Sequence, residues 1–252
     1  MFGRLSGFAG PLSPFKHSLE RRIPIDGYDV LVWTLDESGS PWVSTGTVAA
    51  SLVADSTAPD IVTGVFGNGA SSDGSTGVGS KFLTQGAGSH TEAELTSNFT
   101  LSAWVYPRRT APHPPYNNQA IVLKGANQYS SGWNTPYIAI GMYLDLGTLT
   151  IYYTRSDGTF TTIPTPASLT LNAWSHVGVT LDGTTMRIYR NGVLVTSSPV
   201  SSVIYTNHGP WMIGGDNSRV QGLDGIVDDV RFSNTVRNAA WFLDVYTRGT
   251  SV

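Results

Sequence analysis

The chain has 252 residues, 40% of them hydrophobic and 13% charged, with 28 glycines, no cysteine and a formal net charge of −3. That composition supports a sizeable core and excludes a disordered or coiled-coil chain, while the lack of cysteine excludes a disulfide framework, a thiolate zinc site and a cysteine nucleophile. The slight acidity gives no case for nucleic-acid binding, and no stretch approaches the ~20 apolar residues of a membrane span.

Residues 1–25 differ in character from the rest of the chain and predict a basic, extended N-terminal arm, with residues 26–252 forming one folded domain. Gly7, Gly10, Pro11 and Pro14 break any helix or strand period. They also interrupt the apolar core that a signal peptide needs, so Sec-type export is not expected. Arg4, Lys16, Arg21 and Arg22 stand against Glu20 alone, a balance of +3, whereas the rest carries 11 basic and 17 acidic residues, a balance of −6. A basic arm on an acidic body suits docking onto a neighbouring acidic surface. Phe2, Arg4, Phe8, Phe15, Arg21 and Arg22 are therefore expected to form an assembly arm, its phenylalanines anchoring in a neighbouring subunit.

From Asp29 the pattern is strands and turns. DVLVWTL at 29–35 and FTLSAWVY at 99–106 are β-rich apolar runs. Residues 38–75, rich in Gly, Ser, Thr and Ala, and the proline-rich residues 107–119 read as long loops that make outward contacts. Asp157-Gly158, Asp182-Gly183 and Asn191-Gly192 each separate two β-rich runs, and such pairs supply the positive φ that tight antiparallel turns require. Together they predict an antiparallel meander. Asn191 is thus expected as a turn residue rather than a ligand, and His176, inside a strand, as a half-buried, hydrogen-bonded histidine rather than a catalytic one. A helix is predicted at Ala239–Tyr246, with Trp241, Phe242 and Val245 on one side.

The residues offer little for catalysis. A glycoside hydrolase needs two carboxylates flanking the scissile bond. The glutamates are Glu20, Glu37, Glu92 and Glu94. Glu92 and Glu94 have the spacing of one strand face, but no third acid comes after them and the pair reads as a solvated loop. The histidines at 17, 90, 113, 176 and 208 have no zinc spacing, and neither Gly-x-Ser-x-Gly nor His-Glu-x-x-His occurs.

An ordered series of motifs carries a family resemblance. It begins with VWTLDESGS at 32–40, VFGNGASSDGS at 65–75, FTLSAWVYP at 99–107 and IVLKG at 121–125. It continues with NAWSHVGVTLDGTTMRIYRNGVLV at 172–195, WMIGGD at 211–216, LDGIVDDVRFSN at 223–234 and RNAAWFLDVY at 237–246. Over about residues 28–248 the series resembles laminin G-like domains of the concanavalin A-like lectin/glucanase class. The resemblance implies an all-β, two-sheet antiparallel jelly-roll sandwich with a short C-terminal helix, and a non-catalytic recognition or assembly module.

Modules of this architecture often hold calcium through carboxylates and carbonyls. The candidates are Asp36 and Glu37 after the first strand, Asp73, and Asp228 or Asp229, which alternation places on opposite faces of the last strand. A structural carboxylate capping turn amides is the plainer role for such a residue. Trp42, Tyr116, Tyr129 and Trp133, read as exposed loop aromatics, are candidate glycan contacts. Two functions are consistent with these features, the first being the leading expectation and the second its alternative. One is a virion structural protein, a phage capsid decoration, tail or fibre-associated subunit, partnered by other virion proteins or copies of itself. The other is a carbohydrate-binding adhesion module that meets a host-surface glycan outside the cell.

Overall fold

The computed structural model describes residues 21–251 apart from 76, 78, 79, 87–89, 92, 111–116, 126–137, 202–207 and 217. Two antiparallel sheets of eight strands face each other as a jelly-roll sandwich. The first sheet runs β14 (Val193–Pro199), β13 (Thr185–Arg190), β12 (Ser175–Asp182), β7 (Asn98–Pro107), β16 (Asp224–Ser233), β5 (Asn68–Asp73), β4 (Asp60–Thr63). Strand β1 (Asp29–Trp33) pairs the second half of β16, beyond the stretch that pairs β5. The second sheet runs β11 (Phe160–Ser168), β10 (Thr148–Thr154), β9 (Ile138–Asp145), β8 (Asn118–Gly125), β15 (Trp211–Ile213), β6 (Leu83–Thr84), β3 (Ser51–Ala54), β2 (Trp42–Val43).

The three expected hairpins form. Gly158, Gly183, Asn191 and Gly192 all have positive φ, and Asn191 Oδ1 accepts a 2.9 Å bond from the His176 amide as it turns the chain from β13 into β14. Residues 38–75 are not one long loop. They contain β2, β3, β4 and β5, short strands whose Gly and Ser content hides the period-2 signal. Pro164 and Pro166 lie in β11, the edge of the second sheet, where a missing N–H costs no ladder bond. Arg190 of β13 donates to the Ala167 and Ser168 carbonyls of β11, tying the sheet margins together.

The inner faces bury one apolar core. At its centre Trp211 lies 5.0 Å from Phe232 and 6.3 Å from Trp33, centroid to centroid. Helix α1 (Ala239–Thr250) covers the outer face of the first sheet and runs four residues beyond the expected end. Asn238 caps it, its side chain accepting from Trp241 N at 3.0 Å. Phe242 stacks on Tyr189 at 4.1 Å and 9°, lying over Gly178, where a Cβ would fall inside its van der Waals surface. Phe66, Trp104 and Val245 complete this second, smaller core. No helix among the described residues is long and apolar enough to cross a membrane.

Candidate functional site

The sequence-predicted residues fall in several places. Phe2, Arg4, Phe8 and Phe15 of the arm lie outside the described residues, as do the aromatics Tyr116, Tyr129 and Trp133. Trp42 is not an exposed loop aromatic. It is 1% exposed, in β2, because β2 pairs with β3 and turns that ring into the core. Arg21 is half-buried at the start of the described chain. Arg22 binds its own domain rather than a neighbour: Nη1 lies 2.7 Å from Asp36 Oδ2 and Nε 3.0 Å from Asp229 Oδ1, with Nη2 2.7 Å from the Phe66 carbonyl.

That contact also decides the carboxylates proposed for calcium. Strand β16 breaks register between Asp228 and Arg231, and Asp229 has φ 44°. The irregularity brings both carboxylates to Arg22 instead of to opposite faces as alternation predicts. Asp228 Oδ2 accepts from the amides of Val65 and Phe66 at 2.7 and 2.9 Å, the turn-capping role anticipated for the candidate carboxylates in general. Burial, with Asp229 beside it, raises the Asp228 pKa well above the usual carboxylate range. Asp36 binds Arg22 and the Asn68 amide, while Asp73 pairs with Lys81 at 3.2 Å. Glu37 accepts from Val43 N at 3.1 Å. Asp36, Asp228 and Asp229 converge on the Arg22 guanidinium, while Asp73 and Glu37 are engaged apart from them by Lys81 and the Val43 amide, so this arrangement is filled by an internal cation and does not fit calcium. Among the described residues no group of three or more metal-ligating side chains is found.

Glu94 is not solvated as expected. Its carboxylate is 3.1 Å from His208 Nδ1 and 3.9 Å from the buried Lys124 Nζ. Glu92 lies outside the described residues. His176 is fully rather than half buried, between Trp104, Trp241 and Phe242, and its Nδ1 has no hydrogen-bond partner. Burial lowers its pKa to about 3, so the ring stays neutral.

The open chemistry lies on the outer face of the second sheet. Register aligns Thr162, Tyr152, Gly141, Leu123, Met212 and Thr84 in one row across six strands. Strand alternation directs Leu149, Ile151 and Tyr153 to the core and Tyr152 outward. Gly141 leaves a gap in the row: a Cβ there would sit 2.5 Å from the Tyr143 ring and 3.0 Å from Leu123 Cβ. Tyr143 leans across that gap and stacks on Tyr152 at 4.5 Å and 21°, and Phe160 meets Tyr152 edge-on at 5.4 Å. Phe82, Leu123, Tyr143 and Met212 are buried. Exposure rises toward β10 and β11, where Tyr152 is half-buried and Phe160 is 40% exposed.

A polar chain flanks this aromatic step. Gln221 Nε2 donates to Asn118 Oδ1 at 2.9 Å, Asn118 Nδ2 to Tyr152 Oη at 3.5 Å, and the Tyr152 hydroxyl to Asp145 Oδ2 at 3.1 Å. Gln221 is held there because its carbonyl accepts from the Ala120 amide of β8 at 2.8 Å. Burial and the Asp145 carboxylate raise the Tyr152 pKa against the opposing Asn118 bond, so the phenol is a donor throughout the neutral range. Burial also raises Tyr143 well above its ordinary value, and its hydroxyl has no hydrogen-bond partner among the described residues. None of Asn118, Asp145, Tyr152, Phe160 and Gln221 stands out in the sequence. The usable signal is the alternation of TLTIYYT, which sets Tyr152 on the face opposite Ile151 and Tyr153.

An aromatic step beside amide and carboxylate groups can meet the apolar face of a ring while hydrogen-bonding hydroxyls at its edge. A model of the concanavalin A-like lectin/glucanases superfamily matches residues 83–241. A search of curated protein sequences finds no match. Among solved structures, domain 4 of an extracellular arabinanase from Geobacillus stearothermophilus, in complex with arabinotriose, is similar at TM-score 0.62 and 14% identity. That match covers 86% of this chain and 98% of the other. The ligand binding domain of botulinum neurotoxin serotype D, in complex with N-acetylneuraminic acid, is similar at TM-score 0.62 and 14% identity over 88% of this chain and 51% of that one. The binding domain of Paraclostridial mosquitocidal protein 1 is similar at TM-score 0.63 and 16% identity over 87% and 52%. The chain thus spans about half the length of the toxin domains and nearly all of the arabinanase domain.

Proposed function

Because the chain belongs to the concanavalin A-like lectin/glucanase superfamily, we propose that it is a non-catalytic, lectin-like module that binds a saccharide on the open Tyr152 face of its second sheet. The observation that carries this reading is the half-open Tyr143–Tyr152–Phe160 step lined by Gln221, Asn118 and Asp145. A sugar ring presents C–H groups to an aromatic face and hydroxyls to amides and carboxylates, and both kinds of partner are present here. The arabinanase domain and the neurotoxin domain, solved with arabinotriose and N-acetylneuraminic acid, support a saccharide over other small ligands by analogy of fold. The described glutamates support the lack of catalysis: Glu37 serves a backbone amide, and Glu94 is held by His208 and Lys124. Such a module would meet a cell-surface or polymeric glycan outside the cell. The virion-subunit reading draws on the aromatic anchors of residues 1–20, which lie outside the described residues, whereas the binding reading has a surface to act through.

The test is a glycan array, then titration of the best binder with the wild-type protein and with Tyr152→Ala. Wild type should bind, and the substitution should weaken affinity about tenfold or more by removing the stacking partner and one donor. A wild-type protein that binds no glycan, or a Tyr152→Ala protein with full affinity, contradicts the proposal.

A further inference from the structure

Resting on that reading, we infer that the Tyr152 site takes neutral rather than acidic saccharides. The ligand-facing polar groups are two amides, a phenol and a carboxylate: Asn118, Gln221, Tyr152 and Asp145. The amides donate and accept, the phenol donates, and the carboxylate accepts only. This set matches hydroxyl groups, each of which is both donor and acceptor. Among the described residues it provides no cation for the carboxylate of a sialic acid or a uronate, which are best held by arginine or lysine.

Four described arginines near this end of the sandwich are committed elsewhere. Arg108 and Arg109 both bind Asp224, at 2.8 and 2.9 Å, and Arg219 binds Asp55 at 2.6 Å. Arg190 donates to carbonyls at the sheet margin. Arg155, at the β10–β11 turn, follows the alternation of Tyr153 to the face opposite Tyr152, and its Nε is buried there without a hydrogen-bond partner among the described residues. The site also records how it treats negative charge. The Asp145 carboxylate makes ionisation of the adjacent Tyr152 phenol harder. An acidic ligand group in the same place would meet the same carboxylate.

The experiment compares each neutral glycan with its sialylated or glucuronylated counterpart at low ionic strength, using wild type, Asp145→Asn and Tyr152→Phe. Asp145→Asn is nearly isosteric and lies at a strand end, so folding is checked by circular dichroism and retained. Wild type should prefer the neutral member by about tenfold, the scale of one like-charge repulsion near a protein surface. In Asp145→Asn that ratio should shrink several-fold, because the repelling charge is gone. Tyr152→Phe should weaken neutral ligands and leave the ratio unchanged. Preference for the acidic member, lost together with the Tyr152 ring, would overturn the neutral-ligand inference while leaving saccharide binding intact. An Asp145→Asn ratio equal to wild type would overturn it too. A wild-type protein that binds neither member overturns saccharide binding itself.

Discussion

Both outer faces of the sandwich carry aromatic side chains, and the chain completes them differently. On the first sheet, helix α1 lays Phe242 and Val245 over Gly178 and Trp104, and the rings of Tyr189, His176 and Tyr246 are drawn into the same layer. The charges there are matched as well: Arg22 meets Asp36 and Asp229, Arg231 meets Asp229, and Arg237 meets Asp26 and Asp29. On the second sheet the aromatic row ends in the half-exposed Tyr152 and the exposed Phe160, beside a polar chain that leads to the surface. Aromatic content alone therefore does not distinguish a structural face from a binding face. What distinguishes them is whether the chain supplies its own cover.

This contrast can be broken most strongly at the covered face. Phe242→Ala removes a fully buried ring from the helix contact and should destabilise the protein by about 3–5 kcal/mol, measured by denaturant unfolding, with no loss of glycan affinity in the folded fraction. A comparable loss of affinity at unchanged stability would place the ligand on the wrong face. A smaller effect comes from His176. Its folded pKa is lowered to about 3 by burial, against an ordinary value of about 6.5 in an unfolded chain. Between those values the unfolded chain binds a proton that the folded one refuses, so stability falls as pH falls. From pH ~7 to ~4.5 this group should remove about 2–3 kcal/mol. His176→Leu should flatten that part of the stability profile, while the Tyr152 site, on the other sheet, keeps its affinity. A profile unchanged by the substitution would mean that the ring is hydrated and the helix face open.

The fold is legible in the sequence because its strongest signals are local. Asp182-Gly183 and Asn191-Gly192 supply the positive φ of tight turns, and LDGIVDDVRF is placed as a closing strand by its position in the ordered series of motifs. Residues 38–75 are harder. Strands β2 to β5 are two to six residues long and include NGASSD, whose small side chains are buried by close approach of neighbouring backbone and leave no period-2 hydrophobic trace. Trp42 is misread for the same reason, since only the pairing of β2 with β3 shows that its ring points inward. The candidate site is illegible in a deeper sense. Asn118, Asp145, Tyr152, Phe160 and Gln221 come from four strands and a loop, and nothing local joins Gln221 to Asn118 until β8 and β15 pair and the Ala120 amide fixes the loop. Asp228 shows the converse: its capping role is readable from residue type, but its shared contact with Asp229 at Arg22 depends on a strand irregularity that composition does not reveal.

The central claim is that the second sheet carries the ligand face and the first does not. A heteronuclear NMR titration of the folded protein with its best-binding glycan tests it most directly, because amide and side-chain signals from both faces are read in one experiment. Progressive, saturating shifts are expected at Asn118, Asp145, Tyr152, Phe160 and Gln221, with signals from Ala239–Thr250 unmoved. Shifts centred on helix α1, or on the Glu94–His208 end of the sandwich, with the Tyr152 neighbourhood silent, would contradict it.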